Sequence, residues 1–137
     1  MTTKQTIRIN DSFVVEEFDR NESEMEARRT AISDALRYLS DDVTKANNIG
    51  KVGYAGVAYG NDTKEAIQSA VNDIKRNGLQ NFKHVFFYIE IDEKMKLGNL
   101  ADLNNSIESI VPEGIAHSQY FQTVPTDQEK KVVAIGF

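Results

Sequence analysis

"GYAGVAYGNDTKEAIQSAV", Gly53 to Val71, sets three glycines in an apolar run and then opens an amphipathic helix. Residues 51–59 alternate as a strand. Asn61-Asp62 supply a helix cap, with Glu65 three residues beyond Asp62. Ala66, Ile67, Ala70, Val71 and Ile74 then share one helix face, and Gly78 stops the helix. Such a strand, turn and helix can cradle a phosphate, or its glycines can simply let two layers approach. Spacing discriminates. A dinucleotide fingerprint needs G-x-G-x-x-G at the turn. Here glycines 50, 53, 56 and 60 fall at intervals of three, three and four, and G-x-x-x-x-G-K-[ST] does not fit either. Gly53 and Gly56 lie inside the strand, where a missing side chain admits a neighbour. Asp62 at the cap repels an anion while satisfying the helix donors itself. The stretch reads as a packing device, not a phosphate site.

Outward from it, residues 5–18 read as extended, with Asn10-Asp11 making either a hairpin or a kink. Ser23 with Glu26 fits a capping box for a long helix. Met25, Arg29, Ile32, Leu36, Leu39 and Val43 form its inward stripe, Arg29 being the member that snorkels out. Asn47-Asn48 and Gly50 end that helix. "FKHVFFYIEI", Phe82–Ile91, is apolar on both faces and predicts a central strand. "NLADLNNSIESIV" predicts a helix capped by Asn99, with Leu100, Leu103, Ile107 and Ile110 inward. Two strands, Ile115–Val124 and Lys130–Phe137, follow and predict a terminal hairpin across "PTDQE". The expected fold is α+β in two layers, with helices packed on a mixed sheet of four to five strands. Residues 1–137 form one domain, in which the strand and long helix of 1–48 precede a core at 49–137.

The chain has 137 residues, 40% apolar and 27% charged, with two prolines and a net charge of −5. That size supports a two-layer core. The acidic balance argues against a nucleic-acid partner. Arg28-Arg29 and Lys130-Lys131 read as pairs on solvated faces. Without cysteine there is no disulfide, thiolate or cysteine metal site. No run approaches the roughly 18 apolar residues of a membrane span, and no signal peptide is evident, so the cytoplasm is expected.

At this point the quoted stretch resembles the segment of bacterial FtsZ that starts the sheet of its C-terminal domain. Gly56 meets the family's strand glycine, and Ala66 and Ala70 meet its helix alanines. "HVFFYIEID" is similar to the family's next strand, and "LGNLADLNNSIESIV" to its Leu-rich helix after a Gly loop. "KKVVAIGF" resembles the terminal strand ending in Thr-Gly-Phe, and "DDVTKANNIGK" the helix after the synergy loop. The resemblance covers roughly residues 40–137 and implies the domain fold shared by FtsZ and tubulin.

It also implies departures. The family's GTP-binding domain and its adaptor-recruiting tail are not matched. FtsZ hydrolyses GTP when one subunit's Asn-x-Asp-x-x-Asp loop enters the next subunit's nucleotide site. Asp42 meets the last acidic position as a synergy-loop remnant, but Leu39 and Arg37 stand at the preceding acidic and Asn positions. Only a slipped alignment lets Asp41 serve. Met1 and the extra N-terminal elements weigh against a fragment of a longer chain.

Other chemistry is sparse. His84 and His117 fall on separate strands without metal-ligand spacing. Glu90 and Asp92 share a strand face, where paired carboxylates can do acid–base work, but at a strand end they are expected to meet water. Tyr54, Tyr59, Tyr88, Phe86 and Phe87 read as core or interface rings. No catalytic residue, metal or cofactor is expected. The reading is therefore a non-enzymatic module acting by self-association or by docking on an FtsZ/tubulin-like GTPase. Arg37, Asp41 and Asp42 are its interface residues. The alternative is a ligand-binding protein or small oligomeric enzyme with an inter-subunit pocket, using Glu90, Arg8 or Arg37.

Overall fold

The computed structural model describes residues 4–18, 21–46, 50–76 and 82–137. Its elements are β1 (Lys4–Arg8), β2 (Val14–Phe18), α1 (Glu22–Lys45), β3 (Val52–Gly60), α2 (Thr63–Arg76), β4 (His84–Asp92), α3 (Leu97–Ile110), β5 (Ala116–Val124) and β6 (Lys130–Gly136). They build one mixed six-stranded sheet in the order β1-β2-β3-β6-β4-β5. The α+β class matches expectation, with six strands in place of four or five.

The N-terminal stretch is a true hairpin, β1 antiparallel to β2. Its turn is held by Asn10, whose Oδ1 accepts from the Ser12 and Phe13 amides at 2.7 and 3.1 Å. The predicted terminal hairpin does not form. β6 runs antiparallel between β3 and β4, and β5 lies outermost, parallel to β4. Hydrophobicity explains the exchange. Val132 to Ile135 are fully buried and need cover on both faces, whereas "HSQYFQT" tolerates an edge.

Two cores lie on opposite faces. Val85, Phe87 and Ile89 of β4 pack under α2 and α3, and the alternate residues Phe86 and Tyr88 pack under α1. The parallel steps β2-α1-β3 and β4-α3-β5 therefore run in the same direction along the sheet with helices on opposite faces. They have opposite hands, so one belongs to the rare left-handed kind.

Helix boundaries differ from expectation in instructive ways. Asn21, not Ser23, caps α1, its side chain accepting from the Glu24 amide. Met25, Ile32, Leu36, Leu39 and Val43 are buried as the stripe predicts, joined by Ala31 and Ala35. Burying Ile32, Leu39 and Val43 contributes about 1.5–3 kcal/mol each. Lys96 precedes α3, so Asn99 lies within its first turn and does not cap it. Asp62 does cap α2, accepting from the Lys64 and Glu65 amides at 3.0 and 3.3 Å. The helix stops read at Asn47-Asn48 and Gly78 lie outside the described residues.

The glycine question resolves by distance. A Cβ on Gly56 would stand 1.9 Å from the Ala70 carbonyl oxygen, so α2 rests directly on the β3 backbone. A Cβ on Gly53 would meet the Phe137 ring at 2.7 Å. Gly56 is thus a point of close approach between layers, as expected, whereas Gly53 makes room for a ring at the end of the neighbouring strand β6.

Candidate interaction surface

Arg37, Asp41 and Asp42 are all exposed on the C-terminal half of α1, and among the described residues none is in an ion pair. Between them lies Tyr38, 41% exposed although aromatic. Its ring stacks on Tyr88 of β4, centroids 5.4 Å apart, and on Tyr120 of β5 at 4.7 Å. Tyr120 is itself 37% exposed. The three rings form a ledge from α1 to the outer sheet edge, with Arg37, Asp41 and Asp42 beside it. Large, rigid rings with a polar tip suit protein contact, because they cover area at little entropic cost. Neither Tyr38 nor Tyr120 stands out in the sequence. Tyr38 sits one residue before the buried Leu39, and Tyr120 is a lone aromatic position on a strand face shared with Ala116, Ser118, Gln122 and Val124.

Beneath the ledge the polar groups are tied down. Glu90 is buried rather than meeting water. It accepts from the Tyr88 hydroxyl at 2.9 Å and from the Lys131 amide at 2.9 Å. Burial and the Glu90 carboxylate both push the Tyr88 hydroxyl well above the usual tyrosine range. Lys131 reaches over the Tyr88 ring, 5.5 Å from its centroid, and toward Asp34 at 4.0 Å. Lys130 is buried, with Nζ donating to the Thr126 carbonyl at 2.8 Å. The Lys130-Lys131 pair is thus not a solvated face, because each stem packs while its amine finds an oxygen. Asp92 bonds the Lys94 amide and the Thr126 hydroxyl, which hold its carboxyl below the usual range.

The largest miss is Arg28. Arg29 is exposed, whereas the Arg28 side chain is only 11% exposed. Arg28 Nε donates to both oxygens of fully buried Glu17 at 3.0 and 2.9 Å, and Nη2 also reaches Glu17. Nη1 donates to Asp73 at 2.6 Å, and Nη2 to the Ala55 carbonyl at 3.1 Å. Burial works against the guanidinium charge, but Glu17 and Asp73 outweigh it and hold the group above the usual arginine value. Asp73 also accepts from the Val57 amide at 3.1 Å. β2 pairs with β3 only as far as Tyr54. Arg28 and Asp73 therefore satisfy the next backbone groups along the open β3 edge, and the network is architectural.

The histidines do not converge on a metal. His84 Nε2 bonds Ser118 Oγ at 2.9 Å and His117 Nδ1 bonds Gln119 at 3.0 Å, and among the described residues no metal-ligating cluster exists. Burial, then the His117 charge, lower the His84 pKa against the opposing pull of Asp42. Arg8 is exposed near Asp11 at 3.8 Å on edge strand β1, with β2, β3 and β6 between it and the strand of Glu90. On the other face an open groove of about 1010 Å³ runs between α2 and α3, lined by Asp62, Glu65, Gln68, Asp102 and Ser106 among others. Among the described residues, no helix is long and apolar enough to cross a membrane.

Solved structures share this arrangement. An FtsZ mutant from M. jannaschii superimposes with a TM-score of 0.54 at 9% identity, over 86% of this chain and 41% of that one. CetZ from Methanosaeta thermophila gives 0.56 at 16% identity, over 84% and 38%. The fold is FtsZ-like. An empty FtsZ dimer from M. jannaschii gives 0.54 at 10% identity, over 86% and 40%. The chain spans about two fifths of the length of these FtsZ and CetZ chains, and at such identities the likeness concerns the fold alone. No family model matches the sequence, and no curated protein does.

Proposed function

We propose that the chain is a protein–protein interaction and assembly module of the cytoplasm, without a reaction of its own. Its partner is a second copy or a subunit of an FtsZ/tubulin-like filament, which would connect it to cell division. One observation carries the reading: two exposed tyrosines stacked with Tyr88 beside Arg37, Asp41 and Asp42, which are exposed and in no ion pair among the described residues. The buried carboxylates support the non-enzymatic part. Glu17, Asp73 and Glu90 are each engaged by Arg28, or by Tyr88 and Lys131.

The test is GTP-dependent pelleting of the host's filament protein with and without excess chain, together with the chain's own mass in solution. A change in pelleting, or a concentration-dependent oligomer, is expected, and Arg37→Glu weakens whichever is seen. Unchanged pelleting by a chain that stays monomeric removes the reading.

The α2–α3 groove favours a second reading, a small-molecule site. A metabolite that raises the melting temperature, and whose effect Asp102→Ala abolishes, would select it.

A further inference from the structure

We infer that two copies pair through β5, antiparallel about a two-fold axis at Tyr120, to make one continuous sheet. This deepens the assembly reading above and rests on it.

Among the described residues β5 is an outer strand, bonded only to β4. The Ala116 amide donates to the Lys83 carbonyl, and the Val124 carbonyl accepts from Glu93. Even-numbered residues of β5 thus turn their backbone toward β4. By alternation His117, Gln119, Phe121 and Thr123 turn theirs outward, and among the described residues these groups have no partner. A row of free amides and carbonyls is a template for another strand, and proteins blunt it with charge, proline, bulges or brevity. The opposite edge is blunted: β1 has five residues and includes the exposed Arg8. β5 has none of these devices. "AHSQYFQTV" is nine residues long with no Lys, Arg, Asp, Glu or Pro.

The strand is also complementary to itself. With Tyr120 on the axis, Gln119 faces Phe121 of the second copy and His117 faces its Thr123, each as a hydrogen-bonded pair. About eight backbone bonds result. Tyr120 meets its symmetry mate as the non-bonded pair, where side chains come closest. The two tyrosine ledges then join across the axis, with both α1 helices on the same face. No like charges oppose each other along the strand, so a second copy fits this edge without modification.

The full chain is tested by sedimentation over a range of concentrations. Wild type is expected to dimerise. Thr123→Pro removes an outward amide without touching a β4 bond, and should weaken the dimer at least about tenfold. Tyr120→Cys gives a second readout, since the chain has no other cysteine. Non-bonded antiparallel pairs hold their Cα atoms about 4.5 Å apart, within disulfide reach, so mild oxidation should yield a covalent dimer. If Thr123→Pro unfolds by circular dichroism, the Tyr120→Cys cross-link decides alone. An oligomer that survives Thr123→Pro, with no cross-link at Tyr120→Cys, overturns the β5 edge and leaves assembly through another surface. A wild type that is monomeric throughout and does not cross-link overturns self-pairing, leaving filament pelleting to judge the wider reading.

Discussion

Gly56→Ala should be the most damaging single-methyl change in the chain. The new Cβ would stand 1.9 Å from the Ala70 carbonyl oxygen, where ordinary contact begins near 3.4 Å. The neighbour is helix backbone, so no side-chain rotation relieves it, and α2 must retreat by about 1.5 Å. That retreat loosens Ile67, Ala70 and Ile74, which are essentially inaccessible to solvent. The cost belongs at the upper end of overpacking, about 3 kcal/mol. For a chain of this size it lowers the melting temperature by about 10 °C. Gly60→Ala is the internal control. Its nearest contacts are 3.9 Å away and its φ is not positive, so the methyl fits. It should stabilise by about 0.4–1 kcal/mol through the unfolded chain. Urea unfolding of both variants, followed by circular dichroism, measures the difference. A Gly56→Ala midpoint indistinguishable from wild type, or an equal loss in Gly60→Ala, would refute the account of the β3–α2 contact.

Arg28→Met should cost about 3–5 kcal/mol, because it strands fully buried Glu17 without its cation and leaves Asp73 to the exposed Arg76. Adding Glu17→Gln should restore part of the loss, and a urea midpoint shift worth under about 1 kcal/mol for Arg28→Met would show that the network is idle. His84 has a folded pKa below its unfolded value, so the unfolded chain takes up protons first as pH falls. Stability is full above the ordinary histidine range and declines as pH drops through it. His84→Gln should flatten that part of the pH–stability curve, and an unaltered slope would contradict the burial of the ring.

Local chemistry was legible wherever one element determines the outcome. The Asp62 cap, the buried stripe of α1 and the apolar run of β4 depend on periodicity and on groups a few residues apart, and all stand in the structure. Failures begin where a residue's role depends on distant chain. Arg28 and Arg29 are equivalent by composition. What separates them is that Arg28 reaches β2 11 residues back and α2 45 residues ahead. The misplaced terminal hairpin is the same error at the level of strands. β5 and β6 are joined by turn residues, but nothing in that turn records that the slot between β3 and β4 is open to a strand apolar on both faces.

The surface follows from that slot. β6 enters the middle of the sheet and leaves β5 outside, so the strand least suited to burial becomes the one with free backbone groups. Tyr38 closes over the same strand from α1 and stacks with Tyr88 and Tyr120, which holds the central ring of the edge in place. Had a hairpin formed instead, β5 would have a second neighbour and Tyr120 would be shielded by it. The topology that the sequence hides is therefore what produces the candidate interface, and the residues that carry it, Tyr38 and Tyr120, acquire meaning only once α1, β4 and β5 are brought together.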